Sequence, residues 1–432
     1  LMETFLSDMM TENDLASFKK YVDEKFDSKL ASVKYNYGTT FNAYAWNPSN
    51  DGLDESEQEY MKVNPYSEMM YTVFDEMLAN PNIPSSIKDM KIPIFGQEMS
   101  LTDCLDFMGN NIGEPWSEMS DNQDLLNNQY ELVGKASRWP SKANEVVIVV
   151  SEDNKLLDYQ LFMLGLRSTD DVIKALLGGD SFVKDGVFSV DELLQKEFKI
   201  LTNSDYLEEN TALSTGEEKY WTMHDRKDLS VAYVNQKAMR FADGTDTVKV
   251  VGVVRPKVGV VASSINGVIG YTSALTQAML EHSANHPAVQ AMQALYEEQF
   301  GGGSYYYSVI SFYDAKGVKI VEIGDEVEVD EENGYDGHSA IMRQLGFVNK
   351  DYPESIEFYC TSFEAKEDII NFIAQYEKET GSAIKYTDSL STMMSFVNTM
   401  ATTITGVLVA FAAISLIVST IMIAIIIYTS VL

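Results

Sequence analysis

The sequence predicts an α+β body followed by one transmembrane α-helix. Three observations lead there. Short strand-type runs alternate irregularly with amphipathic helical patterns, without the regular strand–helix–strand order of a parallel α/β fold. An uninterrupted apolar run of 24 residues, ITGVLVAFAAISLIVSTIMIAIII, fills positions 404–427. Every charged residue lies in the first 388 of 432 positions, so the last 44 carry no charge at all. The expected organisation is a body over residues 1–388, a connector helix over 389–403 and a membrane helix over 404–427.

Charge narrows the function of the body. It holds 32 Lys and Arg against 65 Asp and Glu, a net charge of −33. Phosphate backbones and anionic lipid surfaces are bound by basic faces, so neither nucleic acid nor an anionic bilayer surface is an expected partner. With 24 Tyr, 20 Phe and 4 Trp the acidic part is too aromatic for a solvated polyanion and is expected to fold.

The elements follow in chain order. Leu15, Phe18, Val22 and Phe26 are spaced as one helix face. Residues 31–37 alternate as a strand, and the polar, acidic stretch 47–60 reads as a surface loop. Pro81, Pro84 and Pro93 punctuate a stretch expected to be irregular. EVVIVV at 145–150 is a buried-strand run, and TVKVVGVV at 247–254 is another, closed by Arg255-Pro256. Residues 305–313 and 318–323, joined by the turn Asp314-Ala315-Lys316-Gly317, predict a hairpin. An acidic loop is expected over 325–336. SIEFYC at 355–360 predicts a strand, and Thr361 with Glu364 has the spacing of a capping box. Ile369, Ile370, Ile373 and Tyr376 mark the following helix, Gly381 suits its C-cap, and residues 383–386 predict a last strand.

At about 1.5 Å per residue the 24-residue run reaches roughly 36 Å, enough to cross a hydrocarbon core of about 30 Å. Its β-branched residues are compatible with a helix, because in lipid the backbone must satisfy its own hydrogen bonds. Gly406 and Ala410, and likewise Ser415 and Ser419, stand four apart and form rows of small side chains suited to helix–helix packing. No signal peptide precedes the body and no basic anchor follows the run, from which a piece of a longer membrane protein is expected.

Few motifs in the sequence carry chemistry. Gly301-Gly302-Gly303-Ser304 lacks the Gly-Lys-Ser/Thr ending of a phosphate loop and reads as a turn. Residues 181–192 place Asp185, Gly186 and Glu192 as in a calcium loop, but Ser181 and Val183 supply no carboxylate. Asn47, Ser49, Asp51 and Gly52 make a similar partial match, with Gln58 where a bidentate Glu belongs. His282 and His286 share a helix spacing, yet Ser283 occupies the place of the zinc-hydrolase Glu and Pro287 follows, so a surface helix end is expected. His224 and His338 lie far off in sequence. No Gly-x-Ser-x-Gly elbow occurs. Cys104 and Cys360 are either one disulfide or two buried thiols. No catalytic residue, metal ligand or cofactor is expected.

Several stretches together resemble a known family. EFYCTSFEAKEDIINFIAQYEKE with the whole run from Ile384 to the end is similar to the close of the extracytoplasmic domain and the second membrane helix of MacB/FtsX-type ABC transporter permeases. YELVGKASRWPSKANEVVIVV (130–150), VKVVGVVRP (248–256) and GYTSALTQAML (270–280) resemble the large-ectodomain versions of Gram-positive bacteria. The resemblance implies a permease with four membrane helices, its large domain outside the cell between the first two. It implies a dimer or a permease partner, an ATP-binding cassette that is fused or separate, and possible company of an accessory membrane-fusion-type protein. It further implies a membrane-proximal, porter-like part that includes the 355–360 strand, and a distal part. ATP-driven motion would then reach the ectodomain as mechanical work on a peptide, antibiotic or lipid-like substrate. The alternative is a membrane-anchored extracellular binding protein without a motor.

Overall fold

A computed structural model describes residues 13–38, 40–66, 68–69, 79, 91–94, 97–100, 114–168, 170–171, 188–226, 229–260, 263–299, 304–329, 337–360 and 363–431. The protein is mixed α/β. Its contacts divide it into a sheet-rich body, Leu15–Phe372, and a second unit that contains Ile373–Leu432.

The body is organised by one large sheet. In spatial order its strands are Tyr60–Asn64, Phe41–Trp46, Glu197–Thr202, Val248–Pro256, Glu145–Val149, Ile269–Tyr271 and Trp116–Glu118, with Tyr130–Val133 pairing onto Val248–Pro256. Pairing is mixed. Val248–Pro256 runs parallel to Glu145–Val149 but antiparallel to Tyr130–Val133 and Glu197–Thr202. The EVVIVV run is buried on both faces, which is why it carries no polar alternation. Val146 and Ile148 enter the main core with Phe198, Ile200 and Trp116, while Val147 enters a smaller one with Met119, Leu126 and Tyr130. Each side chain so buried contributes about 1.5–3 kcal/mol.

A β-bulge between Val250 and Gly252 reverses the side-chain parity of the neighbouring strand. Val248 and Val250 precede it in the main core; beyond it Val253 takes that side and Val254 enters the smaller core. Gly252 is required there, since a Cβ would lie 2.2 Å from the Arg138 carbonyl oxygen. This strand runs two residues past its expected end: Arg255 and Pro256 pair with Glu131 and Tyr130. Proline is tolerated at the strand terminus because no further ladder bond needs its missing N–H.

A second core lies under a four-stranded sheet of Leu207–Glu209, Trp221–Met223, Ile310–Tyr313 and Lys319–Val321. It includes Ala288, Val289 and Met292 from the helix Pro287–Gln299, and Ile341 and Met342 from the helix Gly337–Gln344. The single hairpin expected over 305–323 is divided in two. The Ser308 N–H bonds the Asp325 carbonyl and the Ser308 carbonyl accepts from the Gly324 N–H, while its hydroxyl engages both N–H and C=O of Ile310, so Ser308 is held to the 324–325 corner between the two pairings. Ile310–Tyr313 then pairs with Lys319–Val321, and Tyr305–Tyr307 with Glu326–Glu328. Part of the expected acidic loop is therefore strand, and 330–336 lie outside the described residues. The turn forms as read: Gly317 has φ +78°, and Asp314 Oδ1 accepts from the Lys316 and Val318 amides.

Phe18 of the helix Leu15–Lys25, Phe26 just beyond it, Phe358 of the ribbon Ala31–Asn36 with Ser355–Cys360, and Phe372 of the helix Phe363–Thr380 are in ring contact at 5.2–6.4 Å between centroids. Pro93 sits in a short hairpin, Lys91–Ile94 with Gln97–Ser100, where an irregular stretch was expected; Pro81 and Pro84 lie outside the described residues. Of the 47–60 loop, Pro48–Asn50 forms a 3₁₀ turn and Tyr60 opens a strand.

The helix Phe363–Thr380 begins in the body and continues from Ile373 into the second unit, where it ends at Gly381, whose φ of +76° and N–H bond to the Glu377 carbonyl make the C-cap. Thr361 of the expected capping box lies outside the described residues. Residues 383–386 are not a strand. The Ile384 amide is taken by the Glu377 carboxylate and the Lys385 amide by Asn13 Oδ1, so the donors a ladder needs are spent on side chains. From Ser389 to Val431 the chain is one unbroken 43-residue helix, capped at its start by Asp388 Oδ1 on the Ser391 amide.

Candidate functional site

Two features are candidates for function: the long helix and a buried polar junction in the body.

The helix joins the expected connector and the expected membrane segment without a break. At about 1.5 Å per residue its 43 residues reach roughly 64 Å. Among the described residues it is the one helix long and apolar enough to cross a membrane, over Thr399–Ile427, five residues earlier than the charge-free apolar run suggested. Its large side chains are exposed on all sides: Leu408, Phe411, Leu416, Ile421 and Ile426 are each more than half accessible. Water is a poor environment for such a surface, and lipid or a second helix is a good one. Its threonines suit an apolar medium, because Thr403, Thr405 and Thr420 donate to the carbonyls of Thr399, Ala401 and Leu416, each at 2.8 Å. Their hydroxyls are satisfied within the helix.

The four small residues singled out do not share one face. Gly406 to Ser415 is nine residues, or about 2.5 turns at 3.6 residues per turn, so the Gly406/Ala410 row and the Ser415/Ser419 row lie on opposite sides. Gly406, Ser415 and Ser419 are exposed, with no atom within 4 Å of where a Gly406 Cβ would stand. The Gly406/Ala410 row is the longer. At alternating spacings of three and four it continues through Thr399, Thr403, Ala413, Thr420 and Ala424, with Ile417 its one bulky member. Pairs four apart do not mark this continuation; the alternating three-and-four spacing does.

The polar junction joins the main sheet to the second core. Lys62, on the edge strand Tyr60–Asn64, is ion-paired to Glu68, and Arg226 Nη1 reaches both Glu68 oxygens at 3.0 and 3.2 Å. The guanidinium stacks over Tyr206 at 4.8 Å and Phe312 at 5.6 Å from the ring centroids. Arg226 Nη2 donates to Asn203 Oδ1, which also receives Asn42 Nδ2, while Asn203 Nδ2 donates to the Gln344 carbonyl. Burial pushes Glu68 up, and the adjacent charges of Lys62 and Arg226 outweigh it, so its carboxyl titrates below the ordinary range. Both Glu68 oxygens are committed to cations, which makes the cluster a brace rather than an acid or base. Nothing in the sequence marked it, since Lys62 and Glu68 are single charges in strand-type and mixed surroundings and Arg226 sits in the charged run 225–228 that suggests a surface.

The histidines do stand at a helix end, His282 in the last turn of Ser273–Ala284, but both are partly buried rather than on the surface. His282 Nε2 is 2.7 Å from Asp205 Oδ1, and Asp205 Oδ2 receives the Thr202 amide and hydroxyl. His286 Nδ1 instead accepts the Ala288 amide, so the two rings serve different partners. Glu192, the twelfth residue of the partial calcium loop, forms a capping box with Ser189; residues 181–187 lie outside the described set. Asn47 of the other partial loop caps the 3₁₀ turn, and Asn47 and Asn50 both bond Glu59. His338 is buried against Tyr306. Among the described residues no three His, Cys, Asp or Glu side chains converge as a metal would require. Cys360 is half-buried on its strand, and Cys104 and 301–303 lie outside the described residues.

Compared with protein-family models, curated proteins and solved structures, the chain matches none.

Proposed function

We propose that the chain is the extracellular domain and second transmembrane helix of a MacB/FtsX-type ABC transporter permease, coupled mechanically to ATP hydrolysis in a fused or separate cassette. The observation that carries this reading is the continuity of the helix from the Asp388 cap through the polar connector into the apolar segment. An unbroken helix transmits a shift along its axis, whereas a flexible joint dissipates it. The acidity of the body supports a position outside the cell, because the few basic residues give little to hold it at the cytoplasmic face. The long small-residue row supports packing against another membrane helix, in a homodimer or with a permease partner. In this reading the chain performs no catalysis, and its role is export or extraction of a peptide, antibiotic or lipid-like substrate.

The test is insertion of Gly-Gly beside Thr392 in the full-length protein. Mechanical relay predicts that export collapses while membrane level and ectodomain folding stay normal. A motorless anchored binding protein predicts no loss of ligand capture, and normal export with the insertion would overturn the relay.

A further inference from the structure

The ribbon of Tyr305–Tyr307 with Glu326–Glu328 has two unlike faces. Its inner face is anchored: Val327 is buried, and the Tyr306 hydroxyl lies 2.7 Å from Nδ1 of buried His338, whose ring stacks on Tyr296 at 4.0 Å. Its outer face holds Tyr305 and Tyr307, 43% and 57% exposed, in an edge-to-face pair with centroids 5.6 Å apart. Directly opposite them in register stand Glu328 and Glu326. Two aromatic rings and two carboxylates thus form a two-by-two grid open to solvent.

Exposed aromatic pairs are costly to leave in water and are enriched where proteins bind partners. Here the surroundings select the partner. Residues 322–329 contain four carboxylates, Glu322, Asp325, Glu326 and Glu328, and no Lys or Arg. The nearby cation, Lys319, is engaged by Asp325 at 3.1 Å and Glu322 at 3.9 Å, and among the described residues no Lys or Arg is ion-paired to Glu326 or Glu328. We propose that this outer face is a docking site for a basic peptide segment, whose Lys or Arg side chains lie over the Tyr305 and Tyr307 rings and against the Glu326 and Glu328 carboxylates. A cation over an aromatic face gains attraction from the ring quadrupole, and the carboxylates add charge complementarity. The anchored inner face means that little ordering is needed on binding. The inference is independent of the transport reading.

The test titrates the full chain in neutral detergent micelles with a labelled ten-residue peptide of alternating lysine and serine. The control peptide carries glutamine for lysine. Wild type binds the lysine peptide and not the glutamine one. Tyr305→Ala/Tyr307→Ala and Glu326→Gln/Glu328→Gln each weaken binding about fivefold or more, whereas Tyr305→Phe/Tyr307→Phe, which keeps the rings, retains it. A charge control, Glu152→Gln/Glu217→Gln, changes it less than about twofold. The proposal is overturned if the peptide fails to bind, if the Tyr→Ala pair binds as wild type, or if the charge control weakens binding equally. Preferential capture of a neutral oligosaccharide through the same tyrosines overturns it as well.

Discussion

Arg226 Nη1 contacts both oxygens of Glu68, at 3.0 and 3.2 Å, although the two residues are 158 positions apart. With Lys62 on the other side of the same carboxylate, this ion triad ties an edge strand of the main sheet to the second core.

A buried charge left without its partner is expensive. Glu68→Gln or Arg226→Met is expected to lower the stability of the sheet-rich body by about 3–5 kcal/mol, read by thermal or denaturant unfolding. Replacing all three, as Lys62→Met/Glu68→Leu/Arg226→Met, recovers most of that loss, because the desolvation cost disappears with the charges. A triple variant as unstable as the worst single one would rule out this account.

Two histidines four residues apart are expected to make opposite contributions to pH dependence. Burial pulls His282 down, but its bond to Asp205 and that residue's charge outweigh burial, so its pKa is raised above 6.5. Its stabilisation is present below pH 6.5 and is lost as pH rises through the raised value. Burial lowers His286 to about 4, so its contribution is present above pH 6.5 and is lost as pH falls towards 4. His282→Gln is expected to flatten the alkaline side of a stability–pH curve, and His286→Gln the acidic side. Unfolding midpoints across pH 4–9 separate the two; identical profiles contradict the assignment.

Glycines differ in why they are needed. Gly252→Ala sets a Cβ against the Arg138 carbonyl at the bulge and is expected to cost about 2–3 kcal/mol, because backbone must move on both sides. Gly216 has φ +58° with nothing within 4 Å, so Gly216→Ala meets only conformational strain of about 1 kcal/mol. The ranking is checked by denaturant midpoints, and a reversal would show that the bulge can relax.

On the proposed membrane reading, the helix faces predict an asymmetry in liposomes. Gly406→Ile places a branched side chain in the long small-residue row and is expected to weaken helix association, measured by energy transfer between labelled chains in liposomes. Ser415→Ile, about 2.5 turns away and on the other side, is expected to leave it unchanged. Equal effects from both would argue against the Gly406 face as the packing surface.

Several features were legible in residue order alone because their causes are local. The apolar run, the spacing of Leu15, Phe18, Val22 and Phe26, the Asp314–Gly317 turn and the Gly381 cap each depend on neighbours within a few residues; the turn and the cap stand where expected, the first helix closes at Lys25 just before Phe26, and the membrane-length segment begins five residues early. Other expectations failed where a distant partner intervened. Arg255 and Pro256 stay in a strand because Glu131 and Tyr130 pair with them, and residues 383–386 give up their ladder donors to Asn13 and Glu377. The Lys62–Glu68–Arg226 brace, the His282–Asp205 pair and the Tyr305/Tyr307 grid were decided by tertiary structure alone. Side-chain identity says that a charge or a ring is present; only the folding of remote segments onto one another determines whether it meets water, a counter-charge or a neighbouring ring.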